Sequence, residues 1–327
     1  MYENSCTKKY AGSEIEMGIG RRVPPEDERQ PAAGSTEASL LFVPEEPKYT
    51  LDDIILPVAV REKILDVADY AQNSKIVFED WGLRRTHRYS KRMGINLYGP
   101  SGTGKTMAAH AIANYLQRKI LVVNYADIES KYVGETPKNI RKAFEAAEKT
   151  NSIIFFDEAD AILSRRVTSM TNATDVSVNQ TRSVMLMLLN DYQDFVIFAT
   201  NFIENFDPAF MRRIAMHIQF ELPDYDCRIK LWKQYIPDEM PHDICIEDLA
   251  KDFKGVSGSD ISNAVLMAAF KAVRQQNKVV KQVYIEEAIK NILTSKKANE
   301  SHQPFVTRRI VSDDYVEEQL QKNKQNI

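Results

Sequence analysis

Short apolar segments alternate with helix-like segments through the middle of the chain. Between the apolar segments, the helical period predicts helices at 137–149 and 179–189. Short apolar strands separated by helices are typical of a parallel sheet that is covered on both faces. The pattern therefore predicts an α/β fold with a five-stranded parallel sheet and helices on both faces. The predicted strands are 93–98, 119–125, 153–156, 195–198 and 217–222.

The flanks of the chain lack this alternation. Residues 1–48 mix charges, Gly, Ser and Pro, so we expect a mostly disordered N-terminal arm. Its short apolar patch at 40–43 could dock on a partner or on the protein's own surface. The α/β pattern occupies 49–223, and a purely helical pattern then predicts a small lid over 224–295. A polar tail is expected over 296–327.

Composition narrows the class of protein. The net charge is −3, from 43 basic and 46 acidic residues, so nucleic acid and anionic membranes are not expected as partners. The 3 cysteines have no C-x-x-C spacing, which argues against a zinc knuckle or a disulfide framework. No apolar run approaches the ~20 residues that span a bilayer. A cytoplasmic protein is therefore expected.

The first apolar strand leads into the spacing G-x-x-x-x-G-K-[ST], the pattern of a phosphate-binding loop. Glycines let the backbone turn with its N–H groups inward, which forms a nest for a polyphosphate. The lysine adds a positive charge, and the threonine hydroxyl can join a Mg²⁺ shell. The sequence thus predicts a nucleotide-phosphate site with Mg²⁺. Its residues are Gly99, Pro100, Ser101, Gly102, Thr103, Gly104, Lys105, Thr106 and, in the following helix, Met107.

Two carboxylates follow the third predicted strand, at the sheet edge where ligands lie in open parallel sheets. Asp157 is predicted to hold Mg²⁺, directly or through water, and Glu158 to accept a proton from an attacking water. The next strand leads to Asn201, whose amide could orient that water. Together with the phosphate loop, these residues predict nucleotide hydrolysis.

The chain contains six motifs in the order 99–106, 131–136, 155–160, 199–201, 206–213 and 255–261. In this order they resemble the AAA ATPases, most closely the branch that holds proteasomal, katanin-like and bacterial remodelling ATPases. The resemblance covers about 49–293. It implies ATP and Mg²⁺ as cofactors, an AAA large ATPase subdomain over 49–223 and a lid over 224–295.

The resemblance also implies a ring, usually a hexamer, in which each nucleotide site lies between neighbouring subunits. Arg212 and Arg213 match the arginine fingers, which reach the γ-phosphate of the next subunit. Asn201 matches the water-orienting sensor. Gly258 and Ser259 stand where the lid packs against adenine and ribose.

The segment Tyr132, Val133 and Gly134 matches the first pore loop of the family. Such a loop grips an extended polypeptide in the channel of the ring. The resemblance therefore implies a protein or peptide substrate. Residues 175–179 are a second candidate pore loop.

Three features depart from the family pattern. Ile55 and Leu56 replace the usual pair of glycines, and the stretch after Arg213 lacks the Pro-Gly-Arg insertion that many members carry, which leaves the choice of finger open. The sequence also predicts no folded N-terminal substrate domain, and it contains no H-E-x-x-H, so proteolysis is not expected of this chain.

Two functions compete at this stage. The leading interpretation is an ATP-driven ring that remodels, unfolds or disassembles proteins through a central pore. The second is a nucleotide-gated assembly that recruits a separate effector or adaptor, such as a protease, a nuclease or a DNA-acting protein. The aromatic pore-loop triplet favours the first, because a switch would not need it.

Overall fold

A parallel sheet of five strands forms the centre of the protein. The structure, a computed structural model, describes residues 42–86, 93–128, 135–164, 173–201 and 206–301. The spatial order of the strands is β2-β3-β4-β1-β5, and every neighbouring pair is parallel. The predicted α/β class is confirmed. The strands are β1 (Met93–Tyr98), β2 (Ile120–Asn124), β3 (Ile153–Asp157), β4 (Phe195–Thr200) and β5 (Ile214–Gln219).

Helices cover both faces of the sheet and bury separate apolar cores. Successive side chains of a strand point to opposite faces, so Phe155 of β3 packs into one core and Phe156 into the other. This double burial explains why the strands are mostly apolar. The helices in this part are α1 (Val58–Lys75), α2 (Lys105–Tyr115), α3 (Tyr125–Ile128), α4 (Glu135–Thr150), α5 (Asp160–Leu163), α6 (Ala173–Asp191) and α7 (Pro208–Met211), with a π-helical turn at Ile76–Asp80 and a 3-10 turn at Leu83–Arg85.

The fifth strand begins at Ile214, not at residue 217 as the sequence pattern predicted. The chain turns directly out of α7, and Ile214 pairs at once with Gly94 of β1. Beyond the strand end, the Phe220 N–H still donates to the Tyr98 carbonyl at 2.7 Å. Neighbour pairing, which a local pattern does not contain, therefore sets the start of this strand.

Residues 42–48 contact the body of the fold, although the sequence placed them in a disordered arm. Phe42 is buried in the core between the sheet and α4 and α6. Glu45 exchanges two backbone hydrogen bonds with Ile120, at 2.8 and 3.0 Å. The apolar patch at 40–43 thus meets the protein's own surface at Phe42, and Glu45 pairs with the edge strand β2.

The described residues beyond Pro223 pack around a third apolar core, which includes the fully buried Trp232. The prediction of a purely helical region is wrong at one point, because β6 and β7 form a short parallel ladder. The lid boundary at 224 stays a prediction. The elements here are α8 (Tyr225–Tyr235), β6 (His242–Asp243), α9 (Ile246–Asp252), α10 (Gly258–Arg274), β7 (Val280–Lys281) and α11 (Gln282–Ser301).

No helix within the described residues is both long enough and apolar enough to cross a bilayer.

Candidate functional site

A cavity of about 400 Å³ lies where β1, β3 and β4 end, within the usual size of a small-molecule site. The phosphate loop forms its floor, and the segment 53–57 forms one wall. The first turn of α10 and the end of α8 form the opposite wall. The carboxyl ends of parallel strands, where ligands bind in such sheets, therefore meet the C-terminal helices here.

The glycines of the phosphate loop adopt conformations that other residues resist. Gly99, Gly102 and Gly104 have φ of 143°, 76° and 98°. Space is also short, since a Cβ on Gly99 would lie 1.9 Å from the Phe220 carbonyl oxygen. A Cβ on Gly102 would lie 1.9 Å from the Ser259 Oγ. The loop is therefore built for close approach to β5 on one side and α10 on the other.

Gly102→Ala is the substitution that this contact makes most informative. We expect the added methyl group to push Ser259 and the start of α10 away from the loop, and to weaken ADP binding by at least ~10-fold. Titration with a fluorescent ADP analogue measures the change. Gly255→Ala is the matched control, because a Cβ there meets nothing within 4 Å. Equal affinities for the two variants would contradict this role of Gly102.

Lys105 is largely buried, at 8% exposure, and points into the loop. Its ammonium group donates to the carbonyls of Gly99 at 2.7 Å and Pro100 at 2.9 Å, and to the Asn201 Oδ1 at 3.0 Å. Burial lowers the pKa of Lys105, and the nearby carboxylates of Asp157 and Asp160 oppose that shift. The charge is thus held in place at the floor of the cavity.

The predicted magnesium ligands lie side by side. The Thr106 hydroxyl donates to the Asp157 Oδ2 at 2.9 Å. A hydroxyl and a carboxylate are the hard oxygen donors that Mg²⁺ prefers, and both line the cavity. The pair therefore fits a magnesium ion bound together with a polyphosphate.

Glu158 is exposed to the cavity and has an unusual backbone conformation. Its φ is 50°, in the left-handed region that residues other than glycine rarely adopt. Its N–H donates to the Asp157 Oδ1 at 2.9 Å, which ties the two carboxylate residues together. Such conformations cluster at functional sites. Here Glu158 is exposed and lines the cavity, so water can reach its carboxylate.

Asn201 is held between Lys105 and Asp160. Its Oδ1 accepts from the Lys105 ammonium, and its backbone N–H donates to the Asp160 carboxylate at 3.2 Å. The sequence places Asp160 within the motif 155–160 but assigns it no role. Its position, three residues after Asp157 at the end of β3, could have indicated that it lies near the site.

The upper walls of the cavity are apolar and include residues that the sequence did not single out. Leu231 and Tyr235 of α8 face Ile55 across the cavity. Ile55 packs against the core of the C-terminal helices, whereas Ile54 and Leu56 pack against the core of the sheet. These walls can hold a planar base, and residues where glycines were expected supply part of them.

Gly258 and Ser259 lie beside the phosphate loop and line the cavity. The Ser259 N–H donates to the Gly102 carbonyl at 3.4 Å. Ser257 caps α10 and accepts from the Asp260 N–H at 3.3 Å, and the Asp260 carboxylate accepts from the Ser257 N–H at 2.8 Å. This capping box fixes the first turn of α10 against the loop.

The two candidate fingers differ in their surroundings, and neither lines the described cavity. Arg212 is exposed, and its Nε donates to the Pro208 carbonyl at 3.3 Å. Arg213 is partly buried and donates to the Asn190 Oδ1 at 2.9 Å and to the Ala209 carbonyl at 2.8 Å. Arg212 is therefore the more exposed of the two, while Arg213 braces α7 against α6.

Tyr132, Val133 and Gly134 lie outside the described residues. Their role as a pore loop stays a prediction, and so does that of the second candidate loop, whose side chains at 175–177 are likewise not described.

This fold and this cavity define a P-loop nucleoside triphosphatase with a helical cover. Residues 95–222 match the family model described as "ATPase family associated with various cellular activities (AAA)". These residues therefore form an AAA ATPase domain.

Proteins similar in sequence indicate which branch of the AAA ATPases the chain resembles. The chain is 32% identical to the proteasome-activating nucleotidase of Methanopyrus kandleri over 280 residues, which are 83% of this chain and 62% of that protein. It is 36% identical to the proteasome-activating nucleotidase of Archaeoglobus fulgidus over 211 residues, 61% of this chain and 52% of that protein. It is 30% identical to the 26S proteasome regulatory subunit 4 homolog B of Arabidopsis thaliana over 270 residues, 79% of this chain and 59% of that protein. The chain thus spans between half and two thirds of the length of each of these relatives.

Proposed function

We propose that this protein binds ATP with Mg²⁺, hydrolyses the ATP, and uses the energy as a ring to remodel protein substrates. The observation that carries the catalytic part is the cluster at the strand ends. Lys105 contacts Asn201 there, Thr106 contacts Asp157, and Glu158 stands open to the same cavity.

Each residue has a distinct task in this proposal. The Lys105 ammonium and the backbone N–H groups of the loop hold the phosphates, while Thr106 and Asp157 hold Mg²⁺. Bound Mg²⁺ supplies neutralisation of the charge on the phosphates. The Glu158 carboxylate takes a proton from the attacking water, and the Asn201 amide orients that water. Binding and proton transfer are therefore assigned to different side chains.

The ring part of the proposal is supported by the position of Arg212. An exposed arginine that does not line the described cavity of its own subunit is free to reach the cavity of a neighbour. We propose a homo-oligomer, usually hexameric, in which this arginine stabilises charge at the adjacent site. Assembly should then depend on nucleotide, because a ligand bound between subunits stabilises the associated state.

The remodelling part rests on the relatives and on Tyr132. Two of the relatives are named proteasome-activating nucleotidases, and a third a proteasome regulatory subunit. We therefore propose protein substrates, gripped by the segment Tyr132, Val133 and Gly134, with a separate effector such as a protease complex as partner. A cytoplasmic location is proposed with them.

Lys105→Ala tests the nucleotide site directly. Removing a buried charge that contacts phosphate should weaken ATP and ADP binding by about 100-fold, since hydrogen bonds to charged groups contribute about 1.5–3 kcal/mol each. Isothermal titration calorimetry measures both affinities. Lys119→Ala is the matched control, because Lys119 is exposed, does not line the described cavity and pairs with Glu46 at 3.0 Å. Unchanged affinity in Lys105→Ala would place the nucleotide elsewhere.

A further inference from the structure

A buried polar pair lies in the centre of the sheet, behind the residue that contacts Lys105. Asn96 is the polar position within the apolar strand β1, and it is 0% exposed. Thr200, the last residue of β4, is 1% exposed, and its hydroxyl donates to the Asn96 Oδ1 at 3.2 Å. A hydrogen bond in such apolar surroundings is costly to lose.

Thr200 is tied to β1 a second time, through its backbone. Its carbonyl accepts from the Gly99 N–H at 3.2 Å, at the first residue of the phosphate loop. Both its side chain and its carbonyl are thus fixed, and the next residue is Asn201. Because the intervening peptide is planar, these two contacts set the direction in which Asn201 leaves the strand.

Asn96 is not explained by packing. Within the described part of the chain its Nδ2 has no hydrogen-bond partner, which is unfavourable for a buried amide. A leucine has the same branched shape and would avoid that cost. Among the described residues, the Asn96 side chain is hydrogen-bonded to Thr200, so we look for its value in what Thr200 holds.

We propose that Asn96 is a positioning residue for the nucleotide site: it fixes Thr200, and through Thr200 it aims the Asn201 amide at Lys105. Asn96 does not line the described cavity, so it acts through other residues and does not touch the nucleotide. The inference rests on the proposed ATP hydrolysis and extends it to a residue of the sheet interior.

Asn96→Leu is the first test. We expect kcat for ATP to fall about tenfold, the effect of one well-placed hydrogen bond, with KM within about twofold of wild type. The melting temperature should stay close to that of wild type, since removal of the unpaired amide offsets the loss of the hydrogen bond to the buried Thr200 hydroxyl. In an Asn201→Ala background the same change should cause no further loss, because the residue that it positions is gone.

Thr200 allows the same bond to be tested from its other end. Thr200→Val keeps the shape and loses the hydroxyl, so it should reproduce the fall in kcat, whereas Thr200→Ser should restore most of it. This pair decides the question if Asn96→Leu does not fold. Ser152→Ala is the control, because Ser152 is also 0% exposed but lies at the other end of the sheet, before β3. Its kcat should stay at the wild-type value.

A wild-type kcat in folded Asn96→Leu, or an equal loss with and without Asn201, would overturn the proposal. Crystal structures of wild type and Asn96→Leu separate this from a failure of the proposed function. The distance from the Asn201 Oδ1 to the Lys105 Nζ should exceed hydrogen-bonding range in the variant. If that contact persists, Asn96 does not position it, whether or not the wild type hydrolyses ATP.

Discussion

Glu158→Gln should bind ATP with near wild-type affinity and hydrolyse it about 10³-fold more slowly. The amide keeps the size of the side chain and the left-handed backbone at φ 50°, but it cannot accept a proton from water. The phosphate loop, Lys105 and the Thr106–Asp157 pair are untouched by the change. Single-turnover hydrolysis of radiolabelled ATP, with binding measured in parallel, separates the two steps.

The control for this experiment is Glu145→Gln, an exposed glutamate on α4 that does not line the described cavity. It should hydrolyse ATP as wild type does. Turnover by Glu158→Gln at close to the wild-type rate would show that another group activates the water. A parallel loss of binding and turnover would show that Glu158 serves the pocket and not the chemistry.

Arg212→Ala should lower ATP turnover by about 10³-fold without lowering the melting temperature, as loss of an arginine finger does at other phosphoryl-transfer sites. Its guanidinium is exposed, and its hydrogen bond to the Pro208 carbonyl is long at 3.3 Å, so we expect little stability to depend on it. Arg213→Ala should behave differently. It breaks hydrogen bonds to Asn190 and Ala209, and we expect a lower melting temperature together with any loss of activity.

Mixed assemblies show whether Arg212 acts on a neighbouring subunit. Arg212→Ala and Glu158→Gln each lack one half of a shared site, so a mixture should regain part of the activity that both lack alone. Light scattering must show that mixed assemblies form. Arg141→Ala, an exposed arginine on α4, should keep its own activity and serves as the control. No recovery at any ratio would confine Arg212 to a role within its own subunit.

Most of the catalytic half of this site could be predicted from the sequence, because local chemistry defines it. The phosphate loop is a contiguous run, and Asp157 and Glu158 follow an apolar strand whose end marks the ligand edge of the sheet. The structure brings these predicted residues and Asn201 to one cavity. Their individual roles stay predictions until the variants are measured.

The remaining features depend on contacts between distant segments. Leu231 and Tyr235 look like ordinary core positions of a helix, and only folding brings them opposite Ile55. The two arginines that follow α7 are equivalent in sequence, and the structure distinguishes them because Asn190 of α6 lies beside Arg213. The contact of Glu45 with the edge strand is of the same kind, since its partner is remote in the chain.

The proposed function requires this cavity to hydrolyse MgATP when subunits associate. It can be tested by steady-state phosphate release from the full chain, measured over rising protein concentration. We expect release that requires Mg²⁺, that is lost in Lys105→Ala, and whose rate per subunit rises as assemblies form. Phosphate release that is absent, or that persists undiminished in Lys105→Ala, would contradict it.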